Sequence, residues 1–282
     1  MKKITRRSFM AAAGLTVAAL ALTACGGSSS TASSAAASSV ASSAAASSEA
    51  ASAAATELTT VEAGKLTMAT NAAFPPYEMT TDAGEFEGID IETAQAIADK
   101  LGLELQIDDM DFDAALLSVQ QGKADIVMAG VTVTDERKAV MDFSDSYATG
   151  IQSIIVPEGS DIASPDDLAG KKIGTQRGTT GYIYCSDDFG DESVVAYDDG
   201  LTAVQALNNG QVDAVVIDNA PAKEFVAANP GLVILDTSYA EEDYAIGMAK
   251  GSALEDAVNK ALEELKADGT LQAIVDKYIN AN

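Results

Sequence analysis

The sequence predicts an α/β fold of two lobes, each a mostly parallel sheet flanked by helices, and three observations lead there. Strand and helix periodicities alternate from Leu66 to Gly130. The alternation restarts after Val156. About 220 residues follow Thr60, enough for two lobes with a core each.

Taken in order, Leu66 to Thr70 reads as the first strand, and Asn71-Ala72-Ala73-Phe74-Pro75-Pro76-Tyr77-Glu78 as a loop fixed by two prolines. Ala94, Ile97, Ala98 and Leu101 recur at helical spacing, and Gly102 stops that helix. Leu103, Leu105 and Ile107 alternate as a strand. Phe112, Ala115, Leu116 and Val119 mark a helix ended by Gly122, and Ala124 to Ala129 is a buried strand. In the second half, Ser164-Pro165 begins a short helix, Lys172 to Thr175 is a strand, and Gly178-Thr179-Thr180-Gly181 turns into a helix. Leu201, Val204 and Leu207 predict another helix, Ala214 to Ile217 a strand ending at Asp218, and Pro221 a helix start. Leu232 to Leu235 and Tyr244 to Ala249 read as strands. Ser252-Ala253-Leu254-Glu255 has capping-box spacing before a helix, and Thr270 opens the last one.

The first sixty of the 282 residues are not expected to fold. Lys2, Lys3, Arg6 and Arg7 precede the apolar Phe9 to Leu22, a secretory signal over 1–24; Arg6-Arg7 also resembles a twin-arginine export signal. Leu22-Thr23-Ala24-Cys25-Gly26 resembles the lipobox of bacterial lipoproteins, which makes Cys25 the expected lipidated N-terminus and the lipid the link to a membrane. Residues 25–59 are mainly Ser and Ala, too poor in apolar bulk to fold, and read as a tether.

Composition excludes several function classes. Lys and Arg number 17 against 43 acids; without the four basic leader residues, 13 face 43, a net charge of −30, which argues against nucleic acid and anionic bilayers as partners. Zero histidine removes Ser-His-Asp triads, Cys-His pairs and His-ligated zinc, so neither metal nor cofactor is expected. With Cys25 expected to carry the lipid, Cys185 stands alone and reads as a small buried hydrophobe.

One stretch looks like an anion clamp. After the strand reaching Ala129, Gly130 permits close backbone approach, Thr132 offers a hydroxyl, and Thr134 can cap a helix whose first turn carries Arg137. A guanidinium can grip a carboxylate with two parallel hydrogen bonds. The other reading is a solvated helix residue beside Asp135 and Glu136. Leu117 to Val127 reads like Gln205 to Val215, each a helix end, a glycine and an aspartate entering a strand. Eight residues past the first glycine lies Gly130, and eight past the second lies Asp218, so the two would face one cleft from opposite lobes. An α-amino acid needs donors for its carboxylate, acceptors for its ammonium and packing for its side chain. Arg137, Thr132, the Gly130 backbone and Thr180 are the candidate donors, Asp218 the acceptor, and Phe74, Tyr77 and Phe112 the walls. The other reading of Asp218 is a cap of the helix at Pro221.

Ala72 to Glu78, Glu87 to Glu92, Asp125 to Lys138, Phe143 to Tyr147, Gly178 to Gly181 and Asp213 to Asp218 together resemble the extracytoplasmic solute-binding proteins of polar amino acid ABC transporters, over nearly all of 62–279. The resemblance implies a two-lobed periplasmic-binding-protein fold of type II. Lobe one would be 60–148 plus 245–282 and lobe two 149–244, with crossing strands near Tyr147 to Ile151 and Glu242 to Ile246 as the hinge. It places carboxylate recognition on Arg137, Gly130, Thr132 and Thr180, the ammonium on Asp218 and aromatic walls at Phe74 and Phe112. It also implies partner permease and ATPase subunits and a monomer outside the cytoplasm.

Asn71 stands where many relatives that bind basic ligands carry an acid, and Gln176, beside Arg177, where some carry lysine or an apolar residue. A polar, uncharged amino acid is the expected ligand, with an acidic one held by Arg177 as the other possibility. No catalysis is expected. The rivals are a cyclohexadienyl or arogenate dehydratase on the same fold, which would need a positioned acid such as Glu78 or Glu92 in the cleft, and a sensory input module.

Overall fold

The structure is a computed structural model that describes residues 58–279. The signal, Cys25 and the tether as far as residue 57 lie outside these residues. From the N-terminal side come β1 (Lys65–Thr70), the short β2 (Ala73–Phe74), β3 (Glu78–Thr80) and β4 (Phe86–Glu87), α1 (Ile89–Leu101), β5 (Glu104–Asp109), α2 (Phe112–Gln120), β6 (Ile126–Val127), α3 (Asp135–Val140) and β7 (Met141–Phe143). After the long β8 (Ala148–Pro157) follow a 3-10 turn at Pro165–Leu168, β9 (Ile173–Gln176), α4 (Thr180–Phe189), a second 3-10 turn at Asp191–Ser193, β10 (Val194–Tyr197), α5 (Gly200–Asn208), β11 (Ala214–Asp218) and α6 (Asn219–Ala228). The chain ends with β12 (Leu232–Ile234), β13 (Ala240–Tyr244), β14 (Gly247–Ala249), α7 (Glu255–Ala267) and α8 (Thr270–Tyr278).

Two large sheets organise these elements, and β2, β3 and β4 form a small antiparallel third. The first has the order β5-β1-β6-β14-β7, with β5, β1 and β6 parallel and β14 antiparallel to both its neighbours. The second has the order β10-β9-β11-β8-β12, with β13 also on β8. Helices cover both faces, which is why the strands read as continuous apolar runs. In the first sheet Met68 and Ile126 face α1, α7 and α8 through Ile97, Leu262 and Ile274, while their neighbours Ala69 and Val127 turn the other way onto Phe112, Ala115 and Val119 of α2. In the second, Ile155 and Val215 meet Val204 and Leu207 of α5 and Phe225 of α6, and Ile154 and Val216 pack with Cys185 of α4. Cys185 is the small buried hydrophobe expected, and burial pushes its thiol up to about 12.

Several local expectations need correction. The second sheet is parallel only across β10, β9 and β11, because β8 runs antiparallel to β11, β12 and β13. Tyr244 to Ala249 is not one strand. The chain changes sheets there, pairing with β8 up to Tyr244 and with β6 and β7 from Gly247. Its crossing lies against the other one, with Tyr244 opposite Ala148. The capping box does not form. Leu254 precedes α7 without a side-chain cap, and Ser252 Oγ accepts from Leu254 N at 3.2 Å, two residues too early to cap the helix. All of Ala124 to Ala129 is buried as expected, yet only Ile126–Val127 is laddered as β6.

Candidate functional site

The loop after β6 is shaped by Gly130. Its φ is +54, and a Cβ there would stand 2.9 Å from Phe74 Cε1, so glycine is required twice over. Gly130 N donates to Asp90 Oδ2 at 3.0 Å, and Tyr147 Oη donates to the same oxygen at 2.8 Å. This corrects the expectation that the Gly130 amide holds a ligand carboxylate: its N–H is committed beneath the site, and what Gly130 has left to offer is its carbonyl. Burial raises Asp90 to about 6, and burial with Asp90 nearby pushes Glu78 well above the usual carboxylate range.

Thr134 caps α3 as expected, accepting from Arg137 N at 3.2 Å. The cap turns Arg137 inward rather than to solvent, and the residue is 8% exposed. Its Nη1 donates to Thr132 O at 2.8 Å and its Nη2 to Gly178 O at 3.1 Å, and the guanidinium lies 5.4 Å from the centre of the Phe112 ring. Both partners are neutral carbonyls. Among the described residues Arg137 makes no ion pair within 4 Å. A buried cation without a paired carboxylate favours an incoming anion.

Asp218 takes the capping position that its sequence offered, and it also lines the cavity. It ends β11 and caps α6, with Oδ1 accepting from Ala220 N at 3.4 Å. Its Oδ2 accepts a short hydrogen bond from Tyr244 Oη. Burial raises its carboxyl to about 7, against the lowering effect of the Tyr244 bond. Gly150 makes this contact possible: a Cβ there would stand 2.5 Å from Tyr244 Cζ and 2.6 Å from Asp218 Oδ2.

Between these poles lie Thr132 and Thr180, whose hydroxyls are 3.4 Å apart. Thr180 opens α4 behind its cap Thr179. Neither hydroxyl is free to donate into the cleft. Both donate to Glu242 Oε2, at 3.2 and 2.9 Å, and Gln152 Nε2 joins them at 3.0 Å. At the far end Gln176 Nε2 donates to Asn71 Oδ1 at 2.8 Å and to Asp198 O at 3.2 Å, while Asn71 Nδ2 donates to Met110 O at 2.9 Å. Arg177 is not part of the site: its side chain is 52% exposed and pairs with Asp198 at 3.5 Å. Tyr77 stacks on Phe74 at 5.8 Å and meets Tyr244 edge-on at 5.4 Å, backing the wall rather than forming it.

All nine expected residues, Asn71, Phe74, Phe112, Gly130, Thr132, Arg137, Gln176, Thr180 and Asp218, line one cavity of about 440 Å³ including its mouth. Gln152, Tyr244, Thr179 and Glu78 line it too, and sequence reasoning assigned the first three no role in it. Gln152 carried a usable signal, a lone amide entering the apolar run Ile154-Ile155-Val156. Glu242 carried none, being one acid among three in Glu241-Glu242-Asp243. Of the acids a dehydratase would need, Glu92 is bound to Lys277 and Tyr278, away from the cleft.

Two lobes meeting over a cavity with a buried cation on one side and a buried carboxylate on the other define a periplasmic-binding-protein fold. Residues 66–281 match the bacterial extracellular solute-binding proteins, family 3, and the chain belongs to that family. It is 34% identical over 226 residues to the L-cystine-binding protein TcyJ of Escherichia coli (strain K12), covering 78% of this chain and 85% of that protein. The arginine-, lysine-, histidine-binding protein ArtJ from Geobacillus stearothermophilus superposes with a TM-score of 0.74 at 34% identity, over 77% of this chain and 96% of its own. An ancestral arginine-binding protein bound to glutamine gives 0.74 at 42% identity, over 77% and 99%. Relatives of this family serve ABC importers as amino-acid-binding proteins, outside the cytoplasm. No helix among the described residues is long and apolar enough to cross a membrane.

Proposed function

We propose that this chain is the substrate-binding component of an ABC importer and captures a free polar α-amino acid between its lobes without chemical change. The observation that carries the reading is the buried Arg137, which has only neutral carbonyl partners and shares one cavity with the buried Asp218. The ligand carboxylate would take the guanidinium, and the ammonium would take Asp218. Lobe one on this reading is 60–148 plus 245–282 and lobe two 149–244, closing about the paired crossings at Ala148 and Tyr244. Cys25 would carry the lipid that keeps a monomer at the outer face of the membrane, within reach of permease and ATPase subunits.

An uncharged side chain fits the far end, where Asn71 and Gln176 present amides only. Similarity to a glutamine-bound structure supports this. A cationic ligand is the second reading, favoured by the arginine-binding relatives and by a shell in which Asp218 and Glu242 outnumber Arg137. A thermal-shift screen of the common amino acids decides between them. Stabilisation by glutamine over arginine supports the first, the reverse order the second, and no shift with any amino acid contradicts both.

A further inference from the structure

We propose that Glu242 is a positioning residue of the site, an internal carboxylate that holds the hydroxyls of Thr132 and Thr180 and must release them before a ligand carboxylate can use them. Thr132 follows β6 of the first sheet, Thr180 opens α4 on the second, and Glu242 sits on β13 where the chain crosses between them. One oxygen of one residue therefore ties both lobes and the crossing together. The crossing is itself fastened to the site loop, since Thr132 bridges Tyr244, Val133 N donates to Asp243 O at 3.0 Å and Ala245 N donates to Val131 O at 3.1 Å.

The hydrogen inventory makes this a competition. A threonine hydroxyl has one proton, and both protons can be used inside this trio: each hydroxyl can donate to Glu242 Oε2, and one of them can instead donate to the other at 3.4 Å. Toward anything else the two hydroxyls present only lone pairs, which a ligand carboxylate would meet as repulsion. The tie is also unbalanced. Glu242 Oε2 takes three hydrogen bonds, whereas Oε1 is buried with no partner among the described residues. An unsatisfied buried acceptor weakens the arrangement that holds it, so the tie can be given up to a better anion. Glu242 also lies within electrostatic reach of both poles: burial lowers Arg137 and Glu242 opposes it, while burial raises Asp218 and Glu242 adds to it. It thereby stands in, without ligand, for the negative charge that Arg137 lacks as a direct partner.

The competition with a ligand carboxylate rests on the amino-acid reading; the tie between lobes does not, and two measurements separate them. Small-angle scattering of the purified ligand-free protein reads the tie. Glu242→Ala and Thr180→Val, altered at opposite ends of it, are both expected to enlarge the radius of gyration relative to the wild type. An unchanged radius in both variants overturns the proposal. Calorimetry with L-arginine and L-argininamide reads the competition, because the amide lacks the carboxylate. In Glu242→Gln the preference for arginine over its amide is expected to rise about fivefold or more, the lower range of ordinary coupling between sites. A role confined to packing would shift both affinities together, and an unchanged ratio overturns the competition. Absence of binding by either probe to the wild type counts against the cationic-ligand reading, and the scattering result then decides the tie alone.

Discussion

Arg137 Nη2 donates to Gly178 O at 3.1 Å, so the cation of the first sheet holds the turn that opens α4 on the second. On the proposed function the same guanidinium would also receive the ligand carboxylate, so its loss should damage both lobe contact and binding. Arg137→Ala is expected to weaken amino-acid binding by about a hundredfold or more, the scale for removing one partner of a buried charge pair. Arg137→Lys keeps the charge but loses the planar fork, and calorimetry should place it between the two.

Asp218 predicts the direction of the pH dependence. Its folded carboxyl is raised to about 7, so it loses charge as pH falls through that value, and affinity for an ammonium group should fall with it. Asp218→Asn should bind roughly 10- to 100-fold more weakly and lose this dependence, which calorimetry from pH 5 to 8 would show.

Stability of the ligand-free protein should run the opposite way. Asp218, with Asp90 raised to about 6, keeps a proton that the unfolded chain has already released. The native state therefore binds more protons between about pH 4 and 7, and stability falls as pH rises across that window. Chemical denaturation should give a smaller slope against pH for Asp218→Asn than for the wild type.

Gly150 predicts a steric effect at a distance from any ligand atom. Gly150→Ala would drive a Cβ into Tyr244 and Asp218 Oδ2. The expected cost is about 1–3 kcal/mol by denaturant titration, with weaker binding because the carboxylate is displaced.

Asn71 predicts a change of preference. Asn71→Asp restores an acid at the far end, against the Gln176 amide that donates there now. The ratio of arginine to glutamine affinity should rise about tenfold, the size of one charge-assisted hydrogen bond. An unchanged ratio would mean that the ligand side chain does not reach this end.

The legible parts of the sequence were those where one residue type answers one physical demand. The period-2 and period-3.6 runs marked β5, α1 and α2, and Thr134 marked the start of α3, because apolar burial and a helix cap each leave a local signature. The match between Gly130 and Asp218 brought the two poles together before any coordinates, since equivalent strand ends face one cleft. What escaped was set by chain crossing and by proton bookkeeping. The break between β13 and β14 depends on which sheet each half joins, and Tyr244 to Ala249 is apolar throughout either way. The engagement of the Gly130 amide by Asp90, and of the Thr132 and Thr180 hydroxyls by Glu242, depends on partners 40, 110 and 62 residues away. No local pattern carries that information.

Isothermal titration of the purified protein with the common amino acids, repeated for Arg137→Ala and Asp218→Ala, tests the central claim most directly. At least one free amino acid should bind with submillimolar affinity, and either substitution should nearly abolish that binding. Affinity left unchanged by both substitutions would contradict the assignment of this cleft.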